Sequence, residues 1–137
     1  MISVSVSVDV PSIEDGLRFY GAAFGFAMAS EPYPGVAVIR RGEAQLLLLA
    51  KASGSVPSPH SSDRRHYDRH WTPVHIDFHV ADFHAALSRA LSAGAKQEQL
   101  FETPGRPVVA FCSDPFGHGF CLIEKRMRPS TLAGGQG

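Results

Sequence analysis

The stretch Val74-His75-Ile76-Asp77-Phe78-His79-Val80-Ala81-Asp82 alternates strictly: Val74, Ile76, Phe78 and Val80 are apolar, while His75, Asp77 and His79 are polar. A period of two marks a strand with one face on a packed core and the other turned elsewhere. Here the second face carries two imidazoles and a carboxylate, which are costly to bury without partners. The stretch predicts the central strand of a cup-shaped sheet, with His75, Asp77 and His79 facing the cavity.

A second copy stands at the N-terminus. Sliding the chain by 70 positions lays Val4-Ser5-Val6-Ser7-Val8-Asp9-Val10-Pro11-Ser12-Ile13 on Val74 to Phe83, apolar on apolar and polar on polar. Both strands run into a helical pattern. Ser12 caps the first, with Ile13, Leu17, Tyr20 and Phe24 on its buried side; Asp82 caps the second, with Phe83, Leu87 and Leu91. Glycines end both, Gly25 and Gly94. The chain reads as an internal duplication in which Ser5 and His75 occupy one slot. Strands over 2–10, 26–31, 35–41 and 43–51 recur as strands over 73–81, 96–103, 107–113 and 118–125, with Pro32-Tyr33-Pro34-Gly35 as a turn. The predicted class is α+β: two tandem βαβββ modules, 1–51 and 73–126, form a cup-shaped mixed sheet with helices outside. A flexible tail is expected over 127–137.

The totals narrow the function classes. In 137 residues, 13 Lys+Arg balance 13 Asp+Glu, so no overall field favours nucleic acid or an acidic membrane. The longest apolar run, Ala44 to Ala52, is interrupted by Gln45 and Lys51 and is too short to span a bilayer. No charged segment precedes an apolar one at the N-terminus, so no signal peptide is expected and the cytoplasm is the default. Cys112 and Cys121 flank the hairpin Asp114 to His118. They read as two small buried thiols, or as a strained cross-strand disulfide.

Residues 52–72 break the pattern. Ser53-Gly54-Ser55-Val56-Pro57-Ser58-Pro59 is turn-rich, and Arg64-Arg65-His66-Tyr67-Asp68-Arg69-His70-Trp71 is basic, aromatic and histidine-rich. The segment reads either as a solvated linker or as a flap over the cup with Tyr67 and Trp71 as stacking surfaces. His60, His66 and His70 are expected in solvent there, as is His84 on the second helix; His118 is placed in a hairpin turn.

The duplicated β-α-β-β-β unit, the helix carrying Leu17-Arg18-Phe19-Tyr20, and the ending Asp114-Pro115-Phe116-Gly117-His118-Gly119-Phe120-Cys121-Leu122-Ile123-Glu124 together resemble the vicinal oxygen chelate superfamily. That group holds glyoxalases, extradiol dioxygenases and bleomycin-resistance proteins, and the resemblance covers residues 2–125. It implies four metal-ligand slots, two per module. They fall here on Ser5, Leu47, His75 and Cys121, so only His75 retains the usual ligand type. Leu47 donates nothing, and Glu124 lies an odd number of residues from Cys121 and points to the other face. A site rebuilt from His75, Asp77, His79 and Cys121 is conceivable, although side chains two apart on a strand stand about 7 Å apart.

No nucleophile motif and no phosphate loop appears. The expected function is therefore metal-free, cofactor-free binding of a small molecule, as in the bleomycin-resistance branch, with an aromatic or peptide antibiotic as ligand and a homodimer as the assembly. Ser3, Ser5, Ser7, Leu47, Tyr67, Trp71, His75, Asp77, His79, Phe111 and Cys121 are the expected ligand contacts. Two alternatives stay open. One is an enzyme, either with remodelled metal ligands around His75 or using Asp77 and His79 as an acid–base pair. The other is a degenerate duplicate that binds nothing.

Overall fold

A computed structural model describes residues 1–126 of the chain; the tail expected over 127–137 lies outside them. The element order is β1 (Ser7–Val10), α1 (Ile13–Phe24), β2 (Ala27–Tyr33), β3 (Val36–Arg41) and β4 (Ala44–Ala50). It continues with β5 (Ile76–Val80), α2 (Phe83–Ala93), β6 (Lys96–Phe101), β7 (Val109–Ser113) and β8 (Gly119–Glu124). This is the βαβββ unit used twice.

Instead of one continuous sheet there are two of four strands, ordered β1-β4-β3-β2 and β5-β8-β7-β6. In each, the first strand pairs in parallel with the last and the other pairs are antiparallel. The register confirms the duplication: Ser7 stands opposite Leu47, and Asp77 opposite Cys121. Ser7 and Asp77 are thus equivalent, and so, two residues earlier, are Ser5 and His75.

Both opening strands are shorter than the alternation predicts. β1 excludes Ile2 to Val6 and β5 excludes Pro73 to His75; Val74 is 81% exposed. In the second sheet the cause lies in the partner: β8 begins at Gly119, one residue before Phe120, which stands opposite Ile76. In the first sheet β4 runs on to Ala44, yet Leu47 N–H to the Val6 carbonyl closes the pairing with β1. Pro32 lies within β2 and not in a turn. That strand is an edge, interrupted by register shifts on either side of Ser30, where a residue without an N–H is tolerated.

Ser12 and Asp82 cap the helices as expected, accepting from Asp15 N–H and Ala85 N–H. Gly25 (φ 79°) and Gly94 (φ 121°) end them in a backbone region that suits glycine. The buried stripes are rotated from those predicted. Gly16, Phe19, Tyr20 and Ala23 are the buried residues of α1, and Phe83, Ala86, Leu87 and Ala90 those of α2, while Leu91 is exposed. α1 seats very close to its sheet: a methyl on Gly16 would stand 2.9 Å from both Leu48 Cδ1 and Val10 Cγ1.

One core joins the modules. Val8, Val10, Ile39 and Leu48 of the first and Ala110, Cys112, Phe120 and Leu122 of the second belong to the same buried cluster. Aromatic rings cross between the modules, Phe24 stacking on Phe78 at 4.1 Å and Phe19 meeting Phe116 edge-on. At its heart the Tyr20 hydroxyl donates to Asp114 Oδ2 (2.6 Å), while Oδ1 accepts from the N–H groups of Phe116 and His118. Every oxygen of this buried carboxylate is satisfied, so it fixes the β7–β8 hairpin and fastens it to α1 at once. Cys112 lies opposite Phe120, and Cys121 opposite Phe111, which puts the two thiols on opposite faces of the sheet. Both are free and buried, the blander of the two readings.

Residues 51–75 carry no helix or strand, yet they are tied down along their length. Gly54 and Arg65 are bonded across a loop through Gly54 N–H to Arg65 O and Arg65 N–H to Ser55 O. Arg65 pairs with Asp9 (2.8 Å), Tyr67 donates to the Lys51 carbonyl, and Arg69 grips Glu98. Asp68 and Arg69 lie directly on Gly117, whose open side (φ 84°) receives the Asp68 carbonyl where a Cβ would stand. The segment is a strap from β1 to the β7–β8 hairpin. Among the described residues no helix is long and apolar enough to cross a membrane.

Candidate functional site

The strand alternation puts Ser7 and Asp9 on one face of the first sheet, and Asp77 and His79 on the corresponding face of the second; all four are exposed or half-buried. A cavity of about 570 Å³ is lined by residues of β1, β5, the strap and the start of β8. Its apolar wall is Val6, Val8, Ile76 and Phe120; its polar groups include Ser7, Asp9, His70, His75, Asp77 and His118. That size and mixture suit a small organic molecule.

At one edge of this cavity three donor groups converge. His75 Nε2 lies 3.0 Å from Asp77 Oδ1, and the ligand atoms of His75, Asp77 and Cys121 all fall within 4.8 Å of one another. The parallel register causes this by seating Asp77 beside Cys121, with His75 one alternation upstream. Burial pushes the Cys121 thiol up to about 11, with the charge and acceptor oxygen of Asp77 adding to it. It is therefore a neutral thiol at physiological pH, and a poor nucleophile.

The sequence-predicted residues divide into groups. Ser7, His75 and Asp77 line the large cavity. Trp71, His75, Phe111 and Cys121 surround a recess of about 150 Å³ beside it, so His75 belongs to both. Trp71 is 79% exposed at that rim. His79 lines a different cavity of about 480 Å³, with Arg41, Arg89, Phe24 and Phe78, and the imidazole at hydrogen-bonding distance from Asp77 is that of His75. Ser3 and Ser5 are exposed ahead of β1, and Leu47 is half-buried behind Ser7, outside the lining. Tyr67 is no stacking surface for a ligand: its hydroxyl is spent on Lys51, and its ring packs edge-on against Phe116 and His118.

Two histidines expected in solvent or in a turn, His70 and His118, are half-buried in the cavity wall. Their rings face each other, His118 Nδ1 to His70 Nε2 at 2.9 Å, and His118 Nε2 meets the Asp9 carbonyl at 2.6 Å. The only sequence signal for His118 was its place after Asp-Pro-x-Gly, where the hairpin hands the chain back to a strand. Asp9 and Tyr20 of the lining were missed for the same reason: their partners lie 56 and 94 residues away.

The metal implied by the fold's four slots does not fit this donor set. Leu47 offers no lone pair, and Ser5 stands exposed before its strand begins. The remaining cluster provides one nitrogen, one oxygen and one sulfur, a set unsuited to a hard oxygen-seeking ion.

The sequence profile of the glyoxalase-like domain matches residues 5–123. No curated protein matches the chain significantly. Among solved structures, the fosfomycin resistance protein FosX of Mesorhizobium loti superposes with a TM-score of 0.65 at 15% identity, over 93% of this chain and 96% of that one. Lactoylglutathione lyase of Agrobacterium tumefaciens gives 0.59 at 16%, over 90% and 92%, and TioX of a Micromonospora species 0.61 at 16%, over 93% and 99%. At such identities these likenesses show the fold alone. With the profile spanning both modules, the chain belongs to the glyoxalase-like domain family.

Proposed function

We propose that the chain binds a small organic molecule in the cavity between its modules, without the family's metal, and releases it unchanged. The observation that carries this is a roomy, partly apolar cavity beside a broken ligand set, in which the residue opposite Ser7 is Leu47. A planar aromatic or peptide antibiotic is the ligand class. The exposed indole of Trp71 and the ring of Phe111 flank the recess that opens beside His75, and stacking adds about 0.5–1.5 kcal/mol per ring pair. The structural likeness to a fosfomycin resistance protein supports resistance by analogy only. A homodimer is part of the proposal: every residue of β2 is exposed, and Phe101 and Phe111 leave an apolar pair on the second sheet.

Tag-free protein purified without chelator should carry well under one equivalent of transition metal. Calorimetric titration with a panel of planar antibiotics should find a saturable binder that quenches Trp71, the one tryptophan of the chain. Trp71→Ala should weaken that binder roughly two- to tenfold. Recovery of the compound chemically altered would overturn the reading.

The second reading, an enzyme of the same superfamily, is favoured by the convergence of His75, Asp77 and Cys121. Stoichiometric metal lost in His75→Ala would promote it.

A further inference from the structure

His118 and His70 are each held between two acceptors. His118 Nε2 is 2.6 Å from the Asp9 carbonyl oxygen, and His70 Nδ1 is 2.9 Å from the Asp68 carbonyl oxygen. A carbonyl oxygen has no hydrogen to give, so each of these nitrogens carries one. The remaining nitrogens, His118 Nδ1 and His70 Nε2, then face each other at 2.9 Å. If both rings were neutral, two lone pairs would meet there with no hydrogen between them. One added proton turns the clash into an N–H···N hydrogen bond and spreads a single positive charge over the pair.

We propose that His70 and His118 share such a proton, and that it latches the end of the strap, residues 66–72, across the cavity. The inference rests on the proposed binding site for its use, since His70 and Thr72 of the strap line that cavity, but not for its existence. Loss of the proton to water leaves two choices. One ring turns and abandons its carbonyl, or the rings part and carry the strap away from the hairpin. The backbone contact that goes with them is His70 N–H to the Gly117 carbonyl.

The charged and titratable neighbours are compatible with a cation here. From β1, the Asp9 carboxylate is engaged by Arg65. From the strap, His66 stands 5.6 Å from the His70 ring, Tyr67 stands 6.3 Å from the His118 ring, and the Asp68 side chain is exposed. Arg69 donates to the carbonyls of His70 and Gly117, but its charge is matched by Glu98. From the hairpin, buried Asp114 accepts the His118 backbone N–H. His75 and Asp77 line the same cavity as a facing pair.

The test uses the intact chain without ligand. Ring-nitrogen NMR spectra are followed between about pH 5 and pH 9, the range in which imidazoles ordinarily change charge. Amide exchange at His70 is measured alongside, relative to Gly54, whose N–H is bonded elsewhere in the strap and corrects for base catalysis. His118 Nδ1 and His70 Nε2 should change together with one midpoint, and the His70-to-Gly54 exchange ratio should rise roughly tenfold or more across it. His118→Gln should abolish that rise; if it does not fold, His70→Gln must do so. Two rings titrating separately, each indifferent to loss of the other, or an exchange ratio that stays flat, would overturn the latch. Because no ligand enters the experiment, either result leaves the binding proposal to stand or fall by its own titration.

Discussion

The buried hydroxyl of Tyr20 and the thiols of Cys112 and Cys121 set the alkaline limit of this protein. Burial is the leading cause in all three: the Tyr20 hydroxyl is held well above 10, with Asp114 adding to it, and both thiols are pushed up to about 11. A group whose pKa is raised on folding stabilises the fold fully below its unfolded value and loses that contribution as pH climbs through the folded one. Melting temperature should therefore fall between about pH 9 and pH 11. Tyr20→Phe should flatten the decline while lowering stability at neutral pH by about 1–3 kcal/mol, because Asp114 Oδ2 is left without its donor. Urea denaturation across that range checks both. At Cys121, Asp77→Asn removes a secondary cause of the raised pKa and leaves burial in place. Alkylation at pH 8 should quicken by roughly three- to tenfold and stay slower than for a free thiol. A rate unchanged in the variant would mean that Asp77 does not act on the thiol.

Among the elements, the strap and its seat on Gly117 are the most exposed to a single change. Gly117→Ala would put a methyl where the Asp68 carbonyl lies and hold it at φ 84°, so a loss of about 2–4 kcal/mol is expected by denaturant titration. Little of this could be read from residues 52–72. Their composition is that of a linker, and what holds them is non-local: Arg65 to Asp9, Arg69 to Glu98, His70 to Gly117. The duplicated elements were legible because their signals are local. Ser12, Asp82, Gly25 and Gly94 act within one turn of their own helix, and the alternation in Ile76 to Val80 belongs to one strand. Leu91 was misjudged because small residues fill the buried stripe, Ala86 and Ala90 on α2 beside Gly16 and Ala23 on α1, and hydrophobic size points elsewhere. The site was half legible. His75, Asp77 and Cys121 could be named together from the sequence as a conceivable site, but the register that seats Asp77 beside Cys121 comes from the sheet, and the meeting of His70, His118 and Asp9 needs both modules docked.

For the whole molecule, the unprotected surfaces bear on assembly. Sedimentation at micromolar concentration should find a dimer, and a charge placed at Phe111 (Phe111→Asp) should shift it toward monomer. A monomeric wild type would remove that part of the proposal. The bond from Tyr20 to Asp114 has a kinetic consequence. It joins residues 94 apart, from the first helix to the last hairpin, so it cannot form until both modules have been made and have met. We predict that this contact forms after the rate-limiting barrier to folding, so that its loss falls on the unfolding rate. Tyr20→Phe should leave the refolding arm of a chevron plot nearly unmoved and speed the unfolding arm, so the lifetime of the docked pair is set by one phenol.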